Sequence, residues 1–397
     1  MGSNFFSTTI GEQITLQRGF DITKKEQQEG NVPVVSSGGI SSYHNVSKVE
    51  APGVVLGRKG TLGTVFFVEK DFWPHDTSLW VKDFKGNNPQ FVYYFFKGMS
   101  AELKKMDVGA ANPALNRNHV HPLQVEWPRR EVQDQIVSVG AALDQKITLN
   151  NQINQTLEQM AQTLFKSWFV DFDPVKAKMN GEQPKGMDAP FLSKEVASLF
   201  PEKLVESELG LIPEGWDAVQ VGDIVQRLKP KKRYTKKQVE PYGKTPVYEQ
   251  GASILLGFHN DDAGFDASPE DPVFIFGDHT CITHLSCSKF DISSNVIPLK
   301  GSVRPTIWTY YAIQGKQEFQ EYRRHWSEFI IKDVVLPPVE LAEKYAELVT
   351  TKYLMMESLK RQSKELEQLR DTLLPKLLSG EIDLENLPVE QAKALAE

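Results

Sequence analysis

Hydrophobic and polar residues change their period once near residue 129, and the same change returns later in the chain. Over residues 1–128, short apolar runs at 32–35, 54–56, 64–68, 78–81 and 123–126 are broken by Gly, Pro and Asn. Runs of that length and composition predict strands. Residues 91–97 predict a helix, opened by Asn88-Pro89. From Arg129 the spacing lengthens. Val132, Val139, Ile153 and Met160 recur at sevens, and Ile136, Leu143, Leu157 and Leu164 form an interleaved set. That is the a/d stripe of a long helix with a partner. A second stripe has Leu341, Leu348, Met355 and Leu369 in one set and Tyr345, Leu359, Leu366 and Leu373 in the other. Lys146 and Asn150 interrupt the first stripe, and Lys352 and Gln362 the second. Polar residues on such a seam fix register at some cost in stability. Pro375 is expected to end or kink the second helix.

The two stripes are one unit written twice. Leu157-Glu158-Gln159-Met160 and Thr163-Leu164 return 209 positions later as Leu366-Glu367-Gln368-Leu369 and Thr372-Leu373. Trp127-Pro128 and Glu131 align with Leu336-Pro337 and Glu340 at the same offset. The segment before each helix repeats more loosely. Val32-Pro33-Val34 answers Thr245-Pro246-Val247, Tyr43-His44-Asn45 answers Phe258-His259-Asn260, and Tyr93-Tyr94 answers Tyr310-Tyr311. The expected division is a first globular part at 1–128, a helix at 129–170, a connector at 171–212 with a short helix near 192–200, a second globular part at 213–338, a helix at 339–380 and a tail at 381–397. The expected fold is mixed α/β (α+β): two similar strand-rich domains separated by a long antiparallel two-helix coiled coil, with a pseudo-two-fold internal repeat. An antiparallel hairpin is the shorter path for the connector. A helix of about 40 residues is roughly 60 Å long. At its ends, two heads could meet DNA grooves one to two turns apart.

Bulk properties narrow the class. A length of 397 residues suggests two or three domains. Two Cys are too few for a disulfide framework and fit a reducing, cytoplasmic setting. No run of 18 apolar residues occurs, and the N-terminus has no signal-peptide pattern. Phe6 removes the myristoylation reading of Met1-Gly2. Net charge is −7. Residues 1–128 hold 13 Lys/Arg against 12 Asp/Glu, and residues 212–338 hold 15 against 16. Near-neutral heads would bind DNA weakly alone, because phosphate neutralisation supplies most of the affinity. Helper subunits are therefore expected.

The order domain–helix–domain–helix joins several local phrases. They are Gly57-Arg58-Lys59-Gly60-Thr61-Leu62-Gly63 followed by Phe72-Trp73-Pro74-His75-Asp76-Thr77, then Asn112-Pro113-Ala114-Leu115-Asn116-Arg117, and Leu164-Phe165-Lys166-Ser167-Trp168-Phe169-Val170-Asp171-Phe172-Asp173-Pro174. Leu209-Gly210-Leu211-Ile212-Pro213-Glu214-Gly215-Trp216 and Leu377-Leu378-Ser379-Gly380-Glu381-Ile382 complete the set. With them the chain resembles the specificity subunit of Type I restriction–modification systems. The resemblance implies two target-recognition domains, each reading half of a split double-stranded DNA sequence. It implies helices that dock two copies of a methyltransferase subunit carrying S-adenosylmethionine, and a separate restriction and translocation subunit. The chain itself would hold no cofactor and catalyse nothing. The second head departs from the first at Gly277-Asp278-His279-Thr280, which stands in place of Gly57-Arg58-Lys59-Gly60.

Several motifs also have plainer readings. Gly57-Arg58-Lys59-Gly60-Thr61 lacks the spacing of a nucleotide-binding loop. It reads as a tight turn, or as a turn that presents Arg58, Lys59 and Thr61 to a DNA backbone. Asn112-Pro113 lacks the second proline and the aromatic of an adenine-methyltransferase element and reads as a turn. His279, Cys281, His284 and Cys287 fit no common zinc spacing, and strand alternation would send them to opposite faces, so no metal is expected. Residues 227–237 carry seven positive charges (Arg227, Lys229, Lys231, Lys232, Arg233, Lys236 and Lys237) and Tyr234, with no acid. The run is a solvated loop or a phosphate grip. Candidate base-facing side chains are Ser36, Ser37, His44, His75, Thr77, Asn116 and Arg117 in the first head. In the second they are Gln250, His259, His279, Thr280 and Asn295. Ile136, Leu143, Leu157, Met160, Leu164, Tyr345, Leu359, Leu366, Leu369 and Leu373 are the expected seam and partner-docking residues. Two rival readings stand beside this one: a coiled-coil DNA-binding scaffold or regulator without a modifying partner, and a self-contained restriction or methylation enzyme.

Overall fold

The computed structural model describes residues 4–106, 114–182 and 193–382. Asn112-Pro113, the connector steps Gln183-Pro184, Lys185-Gly186 and Ala189-Pro190, and most of the tail lie outside the described residues. The chain packs as two compact units, residues 1–149 with 362–397, and residues 150–361.

In the first unit, β1 (Phe5–Thr9) pairs antiparallel with β9 (Gln124–Pro128), and a single turn, α1 (Ile10–Gln13), follows β1. Four antiparallel strands run in the order β2 (Thr15–Arg18), β8 (Ser78–Asp83), β5 (Gly53–Gly57), β6 (Val65–Val68). A second sheet has β4 (Gly39–His44), β3 (Val32–Ser36) and β7 (Trp73–Pro74) in that order. Alternation along β5 explains the layering. Val54 and Leu56 belong to a core with Leu16, Leu79 and helix α2 (Pro89–Gly98), whereas Val55 joins Val35, Phe72 and Trp80 on the opposite face. Asn88 caps α2 by accepting from the backbone N–H of Gln90 and Phe91, with Pro89 in the first turn. Short helices α3 (Ser100–Lys105) and α4 (Arg117–Val120) precede β9.

The long helix α5 (Arg130–Phe169) then begins. The connector supplies α6 (Asp173–Met179) and α7 (Lys194–Ser198). Its Phe172, Val175 and Phe200 enter the second unit's core beside Trp168 of α5, so the described connector residues dock within this chain.

In the second unit, β10 (Leu204–Ser207) and β11 (Gly210–Pro213) form a hairpin, and β12 (Asp217–Gln220) leads to α8 (Val221–Ile224). One four-stranded sheet has the order β13 (Val225–Arg227), β20 (Val296–Gly301), β17 (Val273–Gly277), β18 (Thr283–Ser286). The other has β14 (Arg233–Tyr234), β19 (Asp291–Ser293), β15 (Thr245–Tyr248), β16 (Leu255–His259). Phe274 and Phe276 of β17 pack on helix α9 (Thr306–Ile313), and Ile275 faces Phe290 and Ile292 on the other side. After α10 (Trp326–Phe329), β21 (Asp333–Leu336) pairs with β12 and leads into α11 (Val339–Leu378). Pro375 lies inside α11, and the helix runs on to Leu378 before Gly380 closes it at φ 72°. A proline so near a helix end forfeits one of the last bonds rather than a central one.

Within each unit α5 and α11 run antiparallel. In the first, the Arg370 guanidinium donates to Asp144 at 2.7 Å, and Ile136, earlier on α5, shares a core with Leu374 and Leu377, later on α11. In the second, the Tyr353 hydroxyl donates to Glu158 at 2.8 Å, and the Tyr345 hydroxyl donates to the Ala161 carbonyl at 3.0 Å.

The buried stripe corrects half of the heptad reading. One interleaved set stands: Ile136, Leu143 and Asn150 are buried and Leu157 and Leu164 half-buried, with Tyr345 and Leu366 buried and Leu359 and Leu373 half-buried. Of the other set, Leu341 is buried as read, but elsewhere the more deeply buried line runs mostly one residue later. On α5 it is Gln133, Gly140, Ile147, Asn154, Ala161 and Trp168, and on α11 it is Ala342, Val349, Met356, Ser363, Arg370 and Leu377. Met160 and Leu369 are half-buried flanks, and Met355 is 48% exposed. Gln133, Gly140, Asn154, Ala161, Ala342, Ser363 and Arg370 break the apolar character of that line, while Val132, Val139, Ile153, Met160, Leu348 and Leu369, each one residue earlier, broaden the stripe.

Candidate nucleic-acid interface

In the first unit, three connections meet at one edge of the two sheets. The Ser37 carbonyl, in the β3–β4 turn, accepts from the Thr61 hydroxyl at 2.5 Å and the Thr64 hydroxyl at 2.6 Å, both in the β5–β6 connection. The Thr77 carbonyl, between β7 and β8, accepts from the backbone N–H of Arg58 and Lys59, each at 3.0 Å. Gly57 permits this crossing, because a Cβ there would lie 2.1 Å from the Thr61 carbonyl oxygen. The Leu115 N–H donates to the Arg58 carbonyl, which draws Asn116 and Arg117 towards the same edge.

This brings Ser36, Ser37, Arg58, Lys59, Thr61, His75 and Thr77 together. Their side chains differ in availability. Ser36 Oγ is engaged with the Gly39 carbonyl, and Thr77 Oγ1 is 3.0 Å from His75 Nδ1. Asn116 caps α4 by accepting from the Asn118 N–H. Lys59, Thr61 and Arg117 are exposed. Arg18, at the end of β2, is a cation the sequence reading missed; its guanidinium donates to Asp76 at 2.6 Å. Burial pushes the Asp76 carboxyl up, but Arg18 and His75 outweigh it and hold the group below the usual range. Burial lowers the Arg58 guanidinium, with Arg18 adding to the effect.

His44 is a correction. It is 7% exposed, its Nδ1 accepts from the Gln28 N–H at 3.0 Å, and its ring meets Trp73 edge-on. Its imidazole is taken up by the fold at the end of β4.

The second unit brings corresponding connections together. The Gln250 amide oxygen, in the β15–β16 turn, accepts from the His279 N–H at 2.9 Å. The Asn295 carbonyl, between β19 and β20, accepts from the Asp278 N–H at 2.9 Å. Gly277 again stands where the turns cross, since a Cβ would lie 2.6 Å from Thr280 Oγ1. Gln250 and Asn295 thus serve the turns; Asn295 also adopts φ 60°.

The basic run divides. The Arg233 guanidinium donates through Nη1 to the Ser293 carbonyl at 2.7 Å and the Val296 carbonyl at 2.9 Å, which ties it to the protein. Tyr234 is buried and stacked on His259 with ring centroids 4.2 Å apart, and His259 Nε2 lies 3.0 Å from Asp291. Arg233, Tyr234 and His259 are therefore withdrawn from the DNA-facing set. Lys232 lies over the Tyr234 ring at 4.2 Å, and Arg227 over Trp326 at 5.7 Å. Lys229, Lys231, Lys236 and Lys237 are exposed.

The strand-alternation argument about His279, Cys281, His284 and Cys287 does not apply. Asp278, His279 and Thr280 form a turn, Cys281 has φ 59°, and β18 starts at Thr283. Burial lowers the His284 imidazole to about 4 and raises the Cys287 thiol to about 12. Among the described residues the one group with metal-ligand spacing is Asp21, His75 and Asp76, whose ligand atoms lie within 4.8 Å of one another. Arg18 already occupies the Asp76 carboxylate there.

The sequence reading also missed the segment between α9 and α10. It folds over the β17–β18 turn and carries Phe319 at 54% and Tyr322 at 73% exposure. A polar run with two aromatics and paired arginines, Gln317-Glu318-Phe319-Gln320-Glu321-Tyr322-Arg323-Arg324, was the available signal. No helix among the described residues is long and apolar enough to cross a membrane.

Comparison with known proteins agrees with this layout. Residues 5–159 match the family model of the Type I restriction modification DNA specificity domain. The chain is 27% identical to the Type I restriction enzyme HindI specificity subunit of Haemophilus influenzae over 68% of this chain and 71% of that one. It is 26% identical to the Type I restriction enzyme MjaIX specificity subunit of Methanocaldococcus jannaschii over 75% and 70%. The crystal structure of a Type I restriction–modification S subunit from M. genitalium shares the fold at a TM-score of 0.54 and 14% identity, covering 94% of this chain and 96% of that one. The chain thus carries a match to the Type I restriction modification DNA specificity domain over residues 5–159 and is similar over most of its length to specificity subunits of Type I restriction enzymes.

Proposed function

We propose that this chain is the DNA sequence-specificity subunit of a Type I restriction–modification complex, and that each of its two strand-rich parts reads one half of a bipartite double-stranded target. The observation that carries the proposal is internal. β2-β8-β5-β6 answers β13-β20-β17-β18, and β4-β3-β7 answers β16-β15-β19 with β14 added at the edge; both heads cross their loops at a glycine, Gly57 and Gly277. The seam repeats as well: Gln133, Gly140 and Ile147 stand 209 positions before Ala342, Val349 and Met356. An antiparallel coiled coil with a pseudo-two-fold repeat accounts for both facts.

The chain catalyses nothing. It selects the site, and its helices set the half-site spacing and dock two methyltransferase subunits. S-adenosylmethionine is held by those subunits, and a restriction and translocation subunit joins for cleavage. Phosphate contacts from Lys59, Lys231, Lys236 and Lys237 supply sequence-independent affinity, while polar loop tips discriminate bases.

Sequencing of modified bases in DNA from cells that carry this chain and its partner subunits tests the reading. A split motif with methylated adenines in both halves is expected. A continuous motif would contradict it, and so would no methylation that depends on this chain.

A further inference from the structure

Between α9 and α10 the chain leaves the core through Gly315, at φ 69° with open space around it, and returns at His325, which is fully buried. The return is firmly held. The His325 N–H donates to the Asp278 carbonyl at 2.7 Å, the Trp326 N–H donates to the Asp278 carboxylate at 3.0 Å, and His325 Nε2 lies 3.0 Å from the Glu321 carbonyl. Asp278 occupies the position of Arg58 in the first head. Its backbone therefore shapes the β17–β18 turn, and its side chain ties the next segment onto that turn.

The two arginines of this segment have different surroundings. Arg323 is spoken for by Glu321 and Glu328, which hold its proton more tightly. Arg324 is 78% exposed, with the Asp278 carboxylate 3.8 Å away as its ion-pair partner. Tyr322, two residues earlier, is edge-on to His279 at 4.8 Å. An anchored backbone thus presents a guanidinium and a large aromatic ring to solvent next to a turn already placed at the reading edge. A guanidinium offers two parallel donors that match the major-groove edge of guanine, and an exposed ring offers a face or edge for a base or sugar. Holding both on a fixed segment reduces the ordering cost of binding.

We infer that Arg324 and Tyr322 are the base-selecting side chains of the second head, with Arg324 reading a guanine, and that the lysines of the basic run serve the phosphates instead. This inference rests on the DNA-specificity reading above.

The full chain, assembled with its partner subunits, is offered a library of duplexes randomised across the target, and bound sequences are counted. Arg324→Ala is expected to lose about tenfold or more of the preference for guanine at one position in one half of the motif, leaving the other half unchanged. Arg324→Lys keeps the charge but lacks the paired donors, so it is expected to lose preference at that position with an unchanged salt dependence. Tyr322→Ala is expected to weaken selection in the same half. If the unaltered complex selects a split motif and all three variants select it equally well, the inference is overturned while the function stands. If the unaltered complex selects nothing, both fall.

Discussion

Several residues that look like DNA ligands in the sequence are spent inside the fold. Arg233 is the clearest, because it sits in a run of cations yet gives two hydrogen bonds to the β19–β20 turn. Arg233→Ala is expected to lower stability by about 1–3 kcal/mol, by stranding two carbonyls, with little change in salt dependence. Thermal melting and DNA titration would separate the two effects. Replacing Lys231, Lys236 and Lys237 by Ala should do the reverse: unchanged melting, weaker binding to every sequence, and a salt slope flatter by about 2 to 3. His284 gives a pH signature. Burial first, then Lys360, lowers its imidazole from 6.5 to about 4, against the opposing pull of Glu158 and Glu357. The folded state thus binds the proton less readily than the unfolded chain, so stability is full above about 6.5 and declines as pH falls towards 4. A melting series over that window should show the decline, and His284→Gln should flatten it. Residue type was legible in the sequence here, but direction was not. His44 and His75 look alike along the chain, yet one turns into the core and the other lies at an edge, because neighbouring sheets decide which way each faces.

At the scale of elements, five strands of the first head (β3, β5, β6, β8 and β9), the α2 helix and both long helices could be read from the sequence, and their ends fell within a few residues. The seam could be read in one of its two sets only, since the other mixes apolar residues with Gln133, Gly140 and Ser363, which hydrophobicity ignores. Gly140 shows why. A Cβ there would lie 2.8 Å from the Tyr94 ring, which is buried and fixed by its hydroxyl bond to Asp144. In an isolated helix, Gly to Ala gains about 1 kcal/mol. Gly140→Ala is instead expected to destabilise by about 1–3 kcal/mol, because the ring has no room to retreat. A rise in melting temperature would show that α5 does not approach α2 this closely. The attachment also obeys the repeat: Tyr94 bonds Asp144, and its counterpart Tyr311 meets Tyr353, which stands 209 positions after Asp144. Tyr353 and Tyr311 both reach Glu158, a carboxylate on the other helix, so each head is keyed to the helix pair through a tyrosine and an acid. The loop after α9 escaped the sequence reading because no period marks it. Its order comes from Asp278 and His325, which meet across 47 residues of chain.

For the whole molecule, duplication was the most legible property. A 209-residue offset in the long helices needs no structure to be seen, and the order β2-β8-β5-β6 has a counterpart in β13-β20-β17-β18. What duplication means for DNA is the central claim: two readers act independently, and the helices set their spacing. The most direct measurement exchanges residues 1–128 for the equivalent part of a related subunit and maps methylated bases in cells that supply the partner subunits. The account predicts that one half of the split motif changes while the other half and the intervening length persist. A change in both halves, or an altered gap between them, would contradict it.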